Sequence, residues 1–342
     1  MAVTQRQIAA QLGLSPQAVN FALGTRRDQV SAATRRRVLA AARKLGYRTN
    51  AAASAVATGR FNAVGLVMST HTSQSTVFGG MLRGIHDALD ARGVHLAVHF
   101  IDDARLTSEH DLPKLFAQAM VDGLLLNYTH AIPASMAELI DRHRLPVVWI
   151  NSRQPANCVY PDDAKAGYDA TRLLLDAGHR RIVFMDFLAA TEDAAEVHYS
   201  HPDRRAGYER AMREAGLEPL AVAKDQRARF TDLPDEAGRL LAVDRRPTAA
   251  VCYSRHDAQA LMLAARSLGL RLGPDLSIVM IEYEQLMVGP LVDTMVLPEY
   301  EVGRAAADML MARVADPGSD QPSVAIPMSH KPGETVSPLV PR

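Results

Sequence analysis

The first sixty residues hold ten basic side chains, nine arginines and Lys44, against a single acid, Asp28, a net charge of 10 − 1 = +9. The whole chain has 342 residues with 38 basic and 38 acidic groups, so the other 282 carry 28 against 37, or −9. Guanidinium groups crowded on one end, with the balancing carboxylates elsewhere, have the chemistry of a polyanion contact confined to that end. Other candidate chemistry is sparse. His256 stands beside Asp257, a carboxylate that could orient it as a base, although hydrogen bonding to a ligand is the preferred reading. His198 and His201 are close but have no Cys or second acid with ligand spacing, so no metal is expected. No Gly-x-Gly-x-x-Gly, Gly-x-Ser-x-Gly or Walker-type loop is present, so neither catalysis nor a cofactor is expected.

Hydrophobic content of 48% is enough for packed cores, and the length suggests two or three domains. MAVTQRQ has no apolar signal core, and no apolar run approaches the roughly 18 residues of a membrane helix. Cys158 and Cys252 are the only cysteines, as expected in a reducing cytoplasm.

The elements that must position the basic side chains are helices. Thr4 with Gln7 reads as a capping box, and Ile8, Ala9 and Leu12 form the inner face of the helix it opens. Gly13 permits a sharp turn, Ser15 caps a second helix, and Pro16 takes its first position. Val19, Ala22 and Leu23 are the buried face of that helix. Gln17 and Phe21 point the opposite way, with Asn20 to their side. Two helices joined by so short a turn can set the second in a DNA major groove. A third helix runs from its cap Ser31 to Gly46, with Val38, Leu39, Ala42 and Leu45 expected inward. Arg35, Arg36 and Arg37 lie in its first turns, where they oppose the helix dipole and phosphate contact explains them. The segment from Asn50 to Gly59 is Ala-rich and capped. It is too short to persist alone, so it should be helical only on a partner.

VTQRQIAAQLGLSPQAVNFAL, VSAATRRRVLAAARKLGYRTNAAA and TGRFNAVGLV resemble the DNA-binding head and hinge of the LacI/GalR repressor family. The resemblance implies an all-α helix-turn-helix head at 1–49, a hinge helix at 50–60 and a two-lobed ligand-binding and dimerisation domain at 61–342. Its operator surface would comprise Thr4, Ser15, Pro16, Gln17, Asn20, Phe21, Arg35, Tyr47 and Asn50, with Ala53 and Val56 entering the minor groove. Gln17 and Asn20 suit an adenine edge and Phe21 a thymine methyl. The chain departs from the family at Phe21, commonly Arg, at Asn20, commonly a small hydroxyl residue, and at Val56, commonly Leu.

Beyond Gly59, short apolar strands at 63–68, 94–100, 123–126 and 147–150 alternate with amphipathic stretches such as 81–91, the rhythm of a parallel α/β sheet. It restarts near Pro161, with strands at 181–185, 249–253 and 277–281 and helices through Leu175, at 204–215 and to Leu268. Two lobes imply a cleft, the usual place for a small ligand. The family resembles sugar-binding periplasmic proteins in this region. HRRIVFM, Arg204-Arg205-Ala206-Gly207-Tyr208 and Leu297-Pro298-Glu299 with Val302-Gly303 fit its pattern, the last as the return into the first lobe. Effector contacts are then implied at Phe78, Asn151, Arg153, Arg204, His256, Asp257 and Glu282. Glu282 replaces a shorter Asp common in the family. Trp149 could stack on a sugar ring but is more often core.

The resulting expectation is a cytoplasmic homodimer, or a tetramer, that binds double-stranded operator DNA under control of a small-molecule effector, a sugar or sugar derivative, with no membrane partner. The alternative is a small-molecule sensor with altered or lost operator specificity.

Overall fold

The computed structural model describes residues 3–24, 26–48, 55, 58–70, 75, 77–102, 120–129, 132–187, 197–223, 231–283 and 291–339. They form two compact units, divided between Asn62 and Ala63.

The first unit contains α1 (Gln5–Leu12), α2 (Pro16–Leu23) and α3 (Ala32–Leu45). Both halves of the Thr4–Gln7 capping box are present, and Gly13 closes α1 in the left-handed conformation at φ 65°. Ile8, Ala9, Val19, Ala22, Val38, Ala41 and Ala42 make its core. In α3 the buried set differs from expectation: Ala41 replaces Leu39, which is half-buried outside that core. Positions 38, 41, 42 and 45 follow the i, i+3, i+4, i+7 stripe of one helix face, which 39 leaves. Of the expected hinge, Ala55 and Thr58 are helical and the Gly59 N–H donates to the Ala55 carbonyl at 2.8 Å. Asn50, Ala53 and Val56 lie outside the described residues.

The second unit is two α/β lobes. The first lobe's sheet runs β11-β5-β4-β3-β1-β2, from β1 (Ala63–Ser69), β2 (His95–Ile101), β3 (Gly123–Asn127), β4 (Val147–Ile150), β5 (Cys158–Pro161) and β11 (Val324–Ile326). The second lobe's runs β12-β10-β9-β8-β6-β7, from β6 (Ile182–Asp186), β7 (Leu220–Ala223), β8 (Ala249–Cys252), β9 (Ser277–Glu282), β10 (Asp293–Val296) and β12 (Ser329–Lys331). All pairings are parallel except β10 with β12. The central strands are apolar at nearly every position because helices cover both faces. Those helices are α4 (Gly79–Asp90), α5 (Ala134–His143), α6 (Asp163–Asp176), α7 (Ser200–Glu214), α8 (Leu233–Leu241), α9 (Arg255–Ser267) and α10 (Glu299–Ala315).

The chain passes between lobes three times, at 161–163, 297–299 and 326–329. The second passage confirms the return read from Leu297-Pro298-Glu299, since α10 packs on the first lobe through Val302, Ala306 and Leu310. In each lobe one helix pair crosses at glycines. A Cβ on Gly84 would lie 2.1 Å from the Tyr300 carbonyl, and one on Gly303 2.1 Å from that of Met81. In the second lobe a Cβ on Gly167 would lie 2.0 Å from the Arg204 carbonyl, and one on Gly207 2.0 Å from that of Ala164. The Gly of Arg-x-x-Gly-aromatic is therefore a packing residue.

Candidate functional site

Strand ends aim the second lobe's polar side chains. β6 ends at Asp186, β8 passes into Tyr253 and β9 ends at Glu282, and parallel sheets bind ligands beyond such carboxyl ends. The close crossing of α6 and α7 sets Arg204 against Asp163, Nε to Oδ1 at 2.7 Å, with both side chains buried. Arg204 Nη1 donates to the Tyr253 carbonyl at 2.5 Å and the Ile281 carbonyl at 3.1 Å, tying together two strand ends. Its guanidinium carbon lies 4.5 Å from the Tyr253 ring centre. Burial opposes the Arg204 charge, yet the Asp163 carboxylate outweighs it, holding the pKa above the ordinary arginine value.

Glu282 accepts the Arg255 N–H through Oε2 at 3.3 Å and the Tyr283 N–H through Oε1 at 3.0 Å. Burial raises its pKa, while Arg255, Arg204 and His256 pull the other way. His256 is half-buried near Glu282, and burial followed by the Arg255 charge lowers its pKa.

Asp257 is built into the framework of the second lobe. It is 0% exposed. Its Oδ1 accepts the Phe187 N–H and its Oδ2 the Ser254 N–H and hydroxyl, as the far half of a capping box on α9. Three hydrogen bonds thus hold this carboxylate to Phe187 and Ser254. Burial pushes its pKa up to about 7.

The first lobe meets these groups through the turn after β4. Asn151, at φ 53°, accepts the Tyr199 hydroxyl on Oδ1 at 3.2 Å and His198 Nε2 on its carbonyl at 3.2 Å. Arg153 Nη1 binds both Asp203 oxygens at 2.6 Å. Phe78, just before α4, meets Tyr283 with ring centres 5.3 Å apart. Three of the residues implied by resemblance, Phe78, Asn151 and Arg153, thus face the second lobe, where Arg204, His256 and Glu282 gather. Trp149 instead packs on the first lobe's core.

Sequence reasoning missed Asp163, Tyr199, Asp203, Tyr253, Asp186 and the role of His201. His201 lies in the first turn of α7, which begins four residues earlier than expected, and its Nδ1 donates to Asp186 Oδ2 at 2.6 Å. Pro202 hid this start, although proline is tolerated in a first helical turn. An acid opening the helix after Pro161 was the available signal for Asp163. Among the described residues no group of three or more His, Cys, Asp or Glu is placed to hold a metal ion, and no helix is long and apolar enough to cross a membrane.

On the first unit Gln17 and Asn20 are exposed and Phe21 half-exposed. The hydroxyls of Thr4 and Ser15 cap α1 and α2, with Pro16 next to Ser15, and Tyr47 packs on the core. Arg37 Nη2 donates to the Leu12 carbonyl at 3.2 Å, so it joins α3 to the end of α1. Arg36 is exposed and Arg35 half-exposed.

Residues 171–336 match the family described as "Periplasmic binding protein-like domain". The chain is 31% identical over 291 residues to the HTH-type transcriptional regulator AglR of Rhizobium meliloti (strain 1021), covering 82% of this chain and 77% of that one. Among solved structures it is similar to a LacI family transcriptional regulator from Mycobacterium smegmatis, with TM-score 0.62 and 27% identity over 81% of this chain and 100% of that one. In fold it is also similar to the lac repressor dimer bound to operator and the anti-inducer ONPF, with TM-score 0.75 and 20% identity over 98% of this chain and 100% of that one.

Proposed function

Because the chain belongs to the LacI family of transcriptional regulators, we propose that it is a cytoplasmic homodimeric repressor whose interlobe cleft takes a sugar or sugar derivative. Residues 1–49 are the helix-turn-helix head, 50–60 the hinge helix and 61–342 the effector-binding and dimerisation domain. The observation that carries the effector reading is the meeting of Arg204 and Glu282 at the second lobe's strand ends with Asn151 and Phe78 of the first lobe facing that lobe. Arg204 Nη2 would donate to the ligand, Glu282 would accept, and His256 and Asn151 would support them; directed donors and acceptors suit vicinal hydroxyls. A thermal-shift screen of sugars, sugar phosphates and nucleobases, repeated on Arg204→Ala and Glu282→Ala, tests this. The expected hit is a sugar whose shift is lost in both variants. A hit that survives both places the site elsewhere, and a purine lost with both keeps the cleft and discards the sugar.

Two-fold symmetry of the protein maps onto a pseudo-palindromic operator. Gln17 and Asn20 would read base edges, Phe21 would pack on a thymine methyl, and Arg35 and Arg36 would hold phosphates. Gln17→Ala is expected to cost about 1–3 kcal/mol on the preferred operator and to relax preference at one base position. Equal weakening on every sequence, with a smaller salt slope, would instead assign Gln17 to phosphate.

Ala53 and Val56 of the hinge would enter the minor groove at the operator centre and open a base step. A longer wedge goes deeper, so Val56→Leu is expected to tighten operator binding in a gel-shift titration. Hydrogen exchange over 50–58 is expected to slow on adding operator; equal protection with and without DNA contradicts coupled folding.

A further inference from the structure

Asp186 has no part in the contacts assigned above to the effector, yet it is set as a ligand acceptor. It ends β6, in the row of strand termini that also brings Tyr253 and Glu282 forward. The residue is 3% exposed, and His201 Nδ1 fixes Oδ2 at 2.6 Å. The His201 ring stacks on Tyr253 at 3.8 Å between centres, and Tyr253 is the ring beneath the Arg204 guanidinium. Oδ1 of Asp186 is buried and has no hydrogen-bond partner among the described residues. A buried carboxylate oxygen without a donor is costly, so such an atom marks a place where a donor arrives.

The surrounding charges say what kind of donor. Arg204 is neutralised by Asp163, and Arg153 by Asp203. Among the described residues near those pairs are the acids Asp186, with its histidine, Glu282 and Glu299, and the bases His256 and Arg255, whose guanidinium lies over the Tyr283 ring. Glu299, the first residue of α10, has a second buried oxygen, Oε1, with no hydrogen-bond partner among the described residues; burial raises its pKa, the Gly80 N–H lowers it and Glu282 raises it. Two carboxylate oxygens without donors, and more acids than bases, among the described residues make a poor seat for an anion.

We infer that Asp186 is a specificity-determining residue of the effector cleft: its Oδ1 accepts a hydroxyl proton of a neutral polyol, and the acidic rim rejects phosphorylated and carboxylated relatives of the same sugar. The inference rests on the sugar reading given above. A site built to accept a hydrogen bond discriminates strongly against a ligand group that cannot donate one.

The test is calorimetric titration of the full-length protein with glucose, galactose, ribose and maltose, each beside its phosphate and its acid form, on the native chain and on Asp186→Asn and Asp186→Ala. At least one neutral sugar is expected to bind, with its phosphate and acid at least about tenfold weaker. In both variants the neutral sugar should lose about tenfold or more and the neutral-to-phosphate ratio should shrink. A folding defect would weaken all ligands together and leave that ratio unchanged, so the ratio decides. A native protein that binds the phosphate or acid as tightly as the neutral sugar overturns the inference, as does an unchanged ratio in both variants. If those results come with a sugar whose binding Glu282→Ala abolishes, the cleft reading stands and only the role of Asp186 falls. If no compound in the panel binds, both fall.

Discussion

Gly207→Ala is expected to destabilise the second lobe by about 3 kcal/mol or more, at the upper end of what overpacking costs. Its Cβ would sit 2.0 Å from the Ala164 carbonyl oxygen and 2.7 Å from the Tyr168 nitrogen, all rigid helix backbone. α6 and α7 would have to separate, and their crossing is what sets Arg204 on Asp163. Lost effector binding should therefore accompany lost stability. Gly238→Ala in α8 is the control, because a Cβ there meets nothing within 4 Å. It removes glycine's backbone entropy from a helix, so it should stabilise by up to about 1 kcal/mol. Urea unfolding of both variants gives opposite signs if the crossing governs the first. Equal small effects would show that the helices can part freely.

Removing one member of the Arg204–Asp163 pair should be as damaging. Asp163→Leu leaves a buried guanidinium without its carboxylate, and Arg204→Met leaves the carboxylate without its cation. Each is expected to cost about 3–5 kcal/mol, the range for breaking a buried ion pair by one partner. The double variant should be more stable than either single one, since two apolar side chains of similar bulk leave no buried charge unpaired. It should still fail to bind the effector, because Nη2 is gone. Additive losses in the double-mutant cycle would mean that the two side chains act separately.

The amphipathic and capped elements were legible in the sequence, because caps and periodicity are local. Thr4, Ser15, Pro16 and Ser31 announced their helices, and the long apolar strands announced both sheets. Five strands of three or four residues, β5, β7, β10, β11 and β12, went unread, although β4 and β8, equally short, were found: so few positions carry little periodicity. The site was legible only through family resemblance. That resemblance placed Arg204 and Glu282 but could not supply Asp163, 41 residues from its partner, or Asp186, 15 residues from His201. Asp257, placed in the effector set by the same resemblance, is instead seen bonded to Phe187 and Ser254.

The central claim is that a ligand in the cleft changes affinity for the operator. Its most direct measurement is the dissociation constant of the protein for its selected operator, with and without a saturating amount of the sugar found by thermal shift. We take release on binding as the direction and expect weakening of about 5–150-fold, a coupling of about 1–3 kcal/mol. Operator DNA must then weaken sugar binding by the same factor. An operator affinity unchanged at saturating sugar would contradict the claim.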